Sequence, residues 1–326
     1  MKATARAHPI QGLVKYHGIR EEELRVPYHD SISVSTAPSA TVTTVEFDAS
    51  LDGDVYVVDG EELAGNGAAR VANVVENVRE RSDRDFVENP VRLVSENNFP
   101  SNVGLGSSSS GFAAAAMALA EAADLEMSRP DISTIARRGS TSAARAVTGG
   151  FSDLRAGMND EDCRSRRIET DLDEALRIVI GLVPMYKETQ QAHDEAEDSH
   201  MFEARLAHVH RQLADMRDAI RSGDFDRAFS LAEHDTLSLA ATTMTGPSGW
   251  VYWQPETLAI FEAVRDLRED GVPVYFSTDT GATVYVNTTA EYVDRVEATV
   301  AEQGVETMTW EVGGPAQILD ESEALF

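Results

Sequence analysis

Alternation of apolar and polar positions organises residues 1–60. In "SISVSTAPSATVTTVEFDAS" (31–50) β-branched residues alternate with small polar ones, and "DVYVVDG" (54–60) resumes the pattern after a turn, so both read as strands. The period then lengthens: Val71, Val74, Val75 and Val78 share one face of a helix expected over 66–82. "PVRLVSENNF" (90–99) reads as another strand. Helices are expected over 111–124 and near 131–146, the second preceded by Pro130, before the paired glycines of "GGFSDLRAG" (149–157) break the pattern.

A second unit begins at "LRIVIGLV" (176–183), a short apolar run of the kind found in buried strands. Phe202, Leu206, Val209, Leu213, Met216 and Ile220 then mark one face of a helix over 202–220. Pro255 suits the start of a helix over 256–269. The strands "VPVYFS" and "TVYVN" bracket Asp279, and a helix over 289–303 and a strand over 306–312 follow. This order fits an α+β sandwich of the split βαβ type. At 326 residues the chain is long for a single core, and the pattern divides it into domains at 1–175 and 176–326.

Charge narrows the function classes. The 56 acidic residues outnumber 28 basic ones, for a net charge of −28. Nucleic acid and anionic membranes both require clustered Lys and Arg, so neither is an expected partner. The acids are spread through amphipathic segments and read as the solvated surface of a protein from a high-salt cytoplasm. Of the basic residues only Lys2, Lys15 and Lys187 are lysines, so an internal lysine asks for a local reason, such as a compact ammonium donor. Cys163 is alone, which leaves no internal disulfide and fits a reducing interior. With no signal-peptide core and no apolar run long enough to cross a bilayer, the expected location is cytoplasmic.

The sharpest local signal is "NFPSNVGLGSSSSGFAAAAMAL" (98–119). Glycines allow close backbone approach, serines add hydroxyl donors, and the helix that follows offers unpaired N–H groups. Together these form an anion site of the kind that holds phosphate. A flexible Gly/Ser linker has a similar composition but would not run straight into an alanine-rich helix. No G-K-[ST] follows, so this is not a Walker A loop.

"PSNVGLGSSSS" (100–110) resembles the P-x-x-x-G-L-G-S-S-[SA] motif of the GHMP kinase superfamily. "GLVKYHGIREEELRVPYHDSISVS" (12–35) resembles the K-Y-W-G-K and P-x-x-x-S-[IL]-S-V signature of the mevalonate diphosphate decarboxylases. "ARRGSTSAARAVTGGF" (136–151) and "VYFSTDTGATVYV" (274–286) resemble two further segments of that family, in the same order along the chain. The resemblance implies a GHMP kinase fold, with an N-terminal half like ribosomal S5 domain 2, a ferredoxin-like C-terminal half, and the active site in the cleft. It also implies ATP-dependent decarboxylation of a phosphorylated mevalonate, with ATP and Mg²⁺ as cofactors and a homodimeric state. The metal would be held mainly by the ATP phosphates, with no dedicated protein ligands.

Carried onto this sequence, the resemblance makes Asp279 the base at the tertiary hydroxyl and Arg145 the grip on the substrate carboxylate. Lys15 stands near the transferring phosphoryl, and Tyr16 forms part of the substrate wall. Ser140 and Ser142 are substrate-binding serines; Asn98, Gly104, Gly106, Ser107, Ser108 and Ser109 form the ATP site. Read on residue chemistry alone, Asp279 beside Gly281 is equally an Asx-turn residue, and Asn97 and Asn98 are equally turn residues. Asp153 in "GGFSD" is the rival base. His193, His200, His208 and His210 read as solvated or core histidines rather than metal ligands, since no recognisable zinc spacing is present.

Two departures bear on the substrate. His17 replaces the tryptophan of K-Y-W-G-K and Ile19 its second lysine, while "YKETQQAHDEAEDS" (186–199) stands where relatives carry a Ser/Arg-rich stretch. With fewer cations, the expected substrate is mevalonate 5-phosphate, giving isopentenyl phosphate as in archaeal phosphomevalonate decarboxylases. The alternatives are a mevalonate 5-diphosphate decarboxylase, a mevalonate kinase that does not decarboxylate, and a nucleotide-binding protein without turnover.

Overall fold

The computed structural model describes residues 1–100, 104–185, 193 and 195–326; Lys187, the 101–103 part of the Gly/Ser motif and most of 186–194 lie outside the described residues. The chain opens with β1 (Lys2–Ala7), β2 (Ile10–Val14), a small hairpin of β3 (Ile19–Glu21) and β4 (Val26–Pro27), then β5 (Ser31–Ala37), β6 (Thr41–Phe47), β7 (Val55–Val58) and β8 (Glu61–Glu62). Next come α1 (Gly65–Arg79), β9 (Val91–Asn97), α2 (Ser107–Ala122), α3 (Arg129–Gly139), α4 (Ala143–Thr148), β10 (Phe151–Leu154) and β11 (Ser165–Arg167). The remainder holds α5 (Leu172–Ala175), β12 (Leu176–Leu182), α6 (Phe202–Arg221), α7 (Phe225–Met244) and α8 (Pro255–Glu269). It closes with β13 (Tyr275–Ser277), β14 (Val284–Thr289), α9 (Val293–Ala301), β15 (Glu306–Val312) and β16 (Gln317–Ile318).

One sheet runs in the order β16-β1-β6-β9-β7-β8. The apolar faces of β1, β6 and β9 pack on α1 to α4 through Val45, Leu93, Val74 and Val78. At the centre lies α2, whose Ala113–Ala116 run is buried, as is Leu119. Small side chains let this helix approach sheet and neighbouring helices closely, so it needs no polar face. The expected helix over 111–124 thus begins four residues earlier, with the serines as its first turn. The expected helix near 131–146 is two helices, interrupted at 140–142.

A second sheet runs β11-β10-β5-β15-β12-β14-β13, with β2 also paired to β5. It therefore draws strands from both halves of the chain, joined where Thr36 and Ala37 of β5 meet Val312 and Glu311 of β15. Its C-terminal strands are covered on both faces. Ile178 and Ile180 of β12 pack with Val209, Leu213 and Phe229 of α6 and α7, while Val179 packs with Ile260 and Val264 of α8 and Val300 of α9. Burial on both sides explains the unbroken apolar run at 176–183.

α7 was not anticipated by the hydrophobic pattern. Its buried face mixes Ala228, Phe229, Ala232 and Leu239 with Glu233, Asp235 and Thr236, so the apolar stripe is broken. The available signal was Asp224, whose side chain accepts the Arg227 N–H at 3.1 Å as an N-cap. The final helix spans Val293–Ala301, shorter than the expected 289–303, because β14 continues to Thr289.

The two halves are also tied at Gly149. This residue has φ 64° and ψ 177°, a conformation essentially confined to glycine, and a Cβ there would lie 2.3 Å from the Gly314 carbonyl oxygen. Next to it, the Gly150 N–H donates to the Gly313 carbonyl at 2.9 Å. Backbone strain and backbone overlap act together, so Gly149→Ala is expected to lower unfolding free energy by about 3 kcal/mol or more, measured by denaturant titration at fixed salt.

Candidate active site

A cavity of about 590 Å³ opens between the N-terminal end of α2, the end of β2, α4 and the β13–β14 turn. Gly104, Gly106, Ser107, Ser108 and Ser109 line it from one side. Gly106 caps α2 in the left-handed region at φ 77°, with no side-chain cap, which leaves first-turn N–H groups to face an anion. The Tyr285 hydroxyl holds the loop by donating to the Gly104 carbonyl at 2.8 Å. The serines divide by role: Ser109 donates to the Gly106 carbonyl at 2.6 Å and accepts the Ile10 N–H at 3.2 Å, and Ser110 bonds the Thr41 hydroxyl at 2.6 Å. The Ser107 and Ser108 hydroxyls make no side-chain hydrogen bond among the described residues.

Asn98 is not brought to the cavity. Its Oδ1 accepts the Ala40 N–H at 2.7 Å and its Nδ2 donates to the Pro38 carbonyl at 2.9 Å, so the amide holds the turn between β5 and β6. Asn97 is likewise engaged, accepting from Thr41 at 2.6 Å and donating to Asp59 at 2.9 Å.

Asp279 and Lys15 meet over Gly12. The Gly12 N–H donates to Asp279 Oδ1 at 3.2 Å. A Cβ on Gly12 would stand 2.9 Å from that oxygen and 2.7 Å from Lys15 Cγ, so the absence of a side chain there is what lets the carboxylate and the lysine stem lie together. Lys15 is buried, and its Nζ donates to the Thr236 and Ser277 hydroxyls, each at 3.1 Å. Burial pulls its ammonium below the ordinary lysine range, while Asp235 and Asp279 push back upward and Arg205 adds to the fall. Gly12 and the α7 residues Asp235 and Thr236 were missed in the sequence; for Lys15 the scarcity of lysine was the usable signal.

Arg145 on α4 is 2 % exposed, with its guanidinium 5.6 Å from the Tyr16 ring centroid. Its Nε and Nη1 are buried with no hydrogen-bond partner among the described residues. Burial lowers its pKa, opposed by Tyr16, Asp279 and Asp153. A buried cation with unfilled donors beside a cavity is built to receive an anion from outside the protein. Tyr16 is in turn stacked on His193, with centroids 4.9 Å apart.

Ser140 and Ser142 line the same cavity, their hydroxyls 2.8 Å apart. They sit at the α3–α4 break, so the interruption that splits the expected helix also exposes them. Beside them are two cations that sequence reasoning missed. Arg70 of α1 donates from Nε to the Gly139 carbonyl at 2.8 Å, and Arg25 projects from the β3–β4 hairpin with φ 52°. Burial, then Arg25, brings the Arg70 pKa down to about 10. Arg25 and Arg70 thus supply positive charge on this side of the cavity.

The rival base is placed elsewhere. Asp153 on β10 accepts from Arg217 Nε at 2.8 Å and Nη2 at 2.9 Å, a bidentate pair that neutralises it away from the cavity lining. His200, His208 and His210 are exposed, while His193 is buried in the cavity wall. No group of three or more metal-ligating side chains suited to a metal ion occurs among the described residues.

Residues 7–165 match the family described as diphosphomevalonate decarboxylase-like N-terminal domain. The chain is 71% identical to the phosphomevalonate decarboxylase of Haloferax volcanii over 100% of both chains. It is 30% identical to a diphosphomevalonate decarboxylase of Aspergillus fumigatus, over 82% of this chain and 71% of that one. Among solved structures, the mevalonate diphosphate decarboxylase of Staphylococcus aureus superposes with a TM-score of 0.92 at 27% identity, covering 98% of each chain. That of Enterococcus faecalis superposes at 0.90 and 28% identity, covering 98% of this chain and 99% of that one. MDDEF in complex with MVAPP, AMPPCP and magnesium superposes at 0.91 and 28% identity, with the same coverage.

Behind the cavity wall lies a pH-sensitive support. His29 is 2 % exposed, its Nδ1 lies 2.7 Å from the Asp30 carbonyl, and burial pulls its pKa down to about 4. His17, also buried, is held well below the usual histidine range by burial and then by His193, Arg205 and His29. Both are neutral in the fold, so as pH falls from about 6.5 to about 4 the unfolded chain binds protons that the folded chain refuses. Stability present at pH 7 should be lost across that window, by up to about 3 kcal/mol for His29. Denaturation midpoints at a series of pH values should show a shallower loss in His29→Gln than in the parent.

Proposed function

The chain belongs to the diphosphomevalonate decarboxylase family, and from that premise we propose that it decarboxylates mevalonate 5-phosphate, using ATP, to isopentenyl phosphate, ADP, phosphate and CO₂. The observation that carries this reading is the buried Arg145 guanidinium, with Nε and Nη1 unpartnered, in the same cavity as Asp279 and the glycine/serine loop. Residues 1–175 supply the nucleotide cradle and residues 176–326 the base. In this reading the enzyme is a cytoplasmic homodimer acting on small soluble reactants.

The tertiary C3 hydroxyl is a poor leaving group, and Asp279 orients it and accepts its proton as its oxygen takes the γ-phosphoryl of ATP. Lys15 offers its ammonium to the charge that develops during transfer. Arg145 fixes the carboxylate by charge-assisted hydrogen bonds. The C3–O bond then breaks as phosphate departs, the electrons of the C1–C2 bond form the C2=C3 alkene, and CO₂ leaves. The first turn of α2, with Ser107 and Ser108, receives the nucleotide phosphates. Among the described residues, Asp279 is the acidic group lining the cavity, so a magnesium ion would be held chiefly by phosphate oxygens, where it neutralises charge.

Arg25, Arg70, Ser140 and Ser142 receive the 5-phosphate. The 71% identity to the Haloferax volcanii phosphomevalonate decarboxylase supports the monophosphate over the diphosphate. Incubation with ATP and each substrate in turn should release CO₂ and an alkene product with mevalonate 5-phosphate; a clear preference for the diphosphate would overturn the substrate assignment, and phosphorylation without CO₂ the reaction. Asp279→Asn should lower kcat at least ~10²-fold with little change in KM, the pattern of a lost proton acceptor.

A further inference from the structure

Asp235 lies midway along α7 and is completely shielded from solvent. Its Oδ2 accepts the Lys15 main-chain N–H at 2.9 Å and stands 3.6 Å from Lys15 Nζ. Its Oδ1 accepts from Arg205 Nη2 at 3.0 Å. Arg205, buried on α6, also donates from Nη2 to the Lys15 carbonyl at 2.6 Å and from Nη1 to the Ser238 hydroxyl at 2.9 Å. The Asp–Arg pair thus grips both main-chain polar groups of Lys15, one residue beyond the end of β2. The ammonium itself is steered by Thr236, the next residue on α7, and by Ser277, two residues before Asp279.

Among the described residues, Lys15 and Arg205 lie together with Asp235 and Asp279 in one cluster of charges. Removal of one buried charge leaves the others uncompensated, and a titratable member responds by changing its protonation. Among the described residues, the charged groups that face Lys15 are Asp235 from α7, Arg205 from α6 and Asp279 from the β13–β14 turn. His17 and His29, which Arg205 also influences, are neutral.

We infer that Asp235 is a positioning residue for the reaction: it fixes the backbone of Lys15 and keeps the ammonium protonated beside Asp279. The inference rests on the role proposed above for Lys15. Burial already lowers the Lys15 pKa, Asp235 is the largest influence opposing that fall, and Arg205 reinforces it. Without Asp235 the lysine faces a like charge with Asp279 as its chief offset, and it loses its proton at lower pH.

The test is kcat against pH at fixed KCl for the parent, Asp235→Asn, Arg205→Gln and the double variant. Asp235→Asn should move the alkaline limb down by about one pH unit or more and lower kcat most at the alkaline end, with KM for ATP little changed. Arg205→Gln should move the limb upward, and the double variant should bring it back toward the parent. Superimposable limbs with additive losses would overturn the inference, because packing alone produces that result. If Asp235→Asn does not fold, the upward shift in Arg205→Gln decides the matter, and its absence is a refutation. Lys15→Met separates the two levels: full turnover in that variant removes the role of Lys15 and this inference with it. Lost turnover combined with unmoved limbs removes the inference alone.

Discussion

On a chain of net charge −28, what the proposed polyanionic reactants require is a local concentration of positive charge. Lys15, Arg25, Arg70 and Arg145 all line one cavity, and Lys15 and Arg145 are almost fully buried. At ionic strength near 1 M the screening length is about 3 Å, so the acidic exterior exerts little force across the protein. Inside the cavity Lys15, Arg25, Arg70 and Arg145 dominate. The arrangement separates solubility, an exterior property, from recognition, an interior one.

Those cations carry a folding cost that the surrounding structure offsets. Lys15 is matched by Asp235 and two hydroxyls, and Arg70 by the carbonyl that ends α3. Arg145 differs, with buried donors left over. In the reaction proposed above, the anion that compensates it is the substrate carboxylate, which then leaves as CO₂.

Much of this was legible in the sequence because it was carried by local chemistry. The glycine/serine loop and the lysine that stands out among arginines needed no long-range information, whereas Asp279, Arg145, Ser140 and Ser142 were pointed to by the family resemblance; the structure places all of them around one cavity. What escaped notice depends on distant partners. Asp235 is one acid among 56 until folding brings it to Lys15, 220 positions away. Asn98 looked like part of the nucleotide loop, yet its amide serves the turn at 38–40. α7 was hidden because the polar residues it buries interrupt the apolar stripe that would have announced it.

The sheet shared by both halves limits how the molecule can move. β5 pairs with β15, and Gly150 bonds Gly313, so strands from opposite ends of the chain are locked edge to edge. Two domains joined by a linker could part like jaws to admit a ligand; here that motion would tear a continuous hydrogen-bonded ladder. A floor tied in this way directs entry to adjustments at the rim of the cavity.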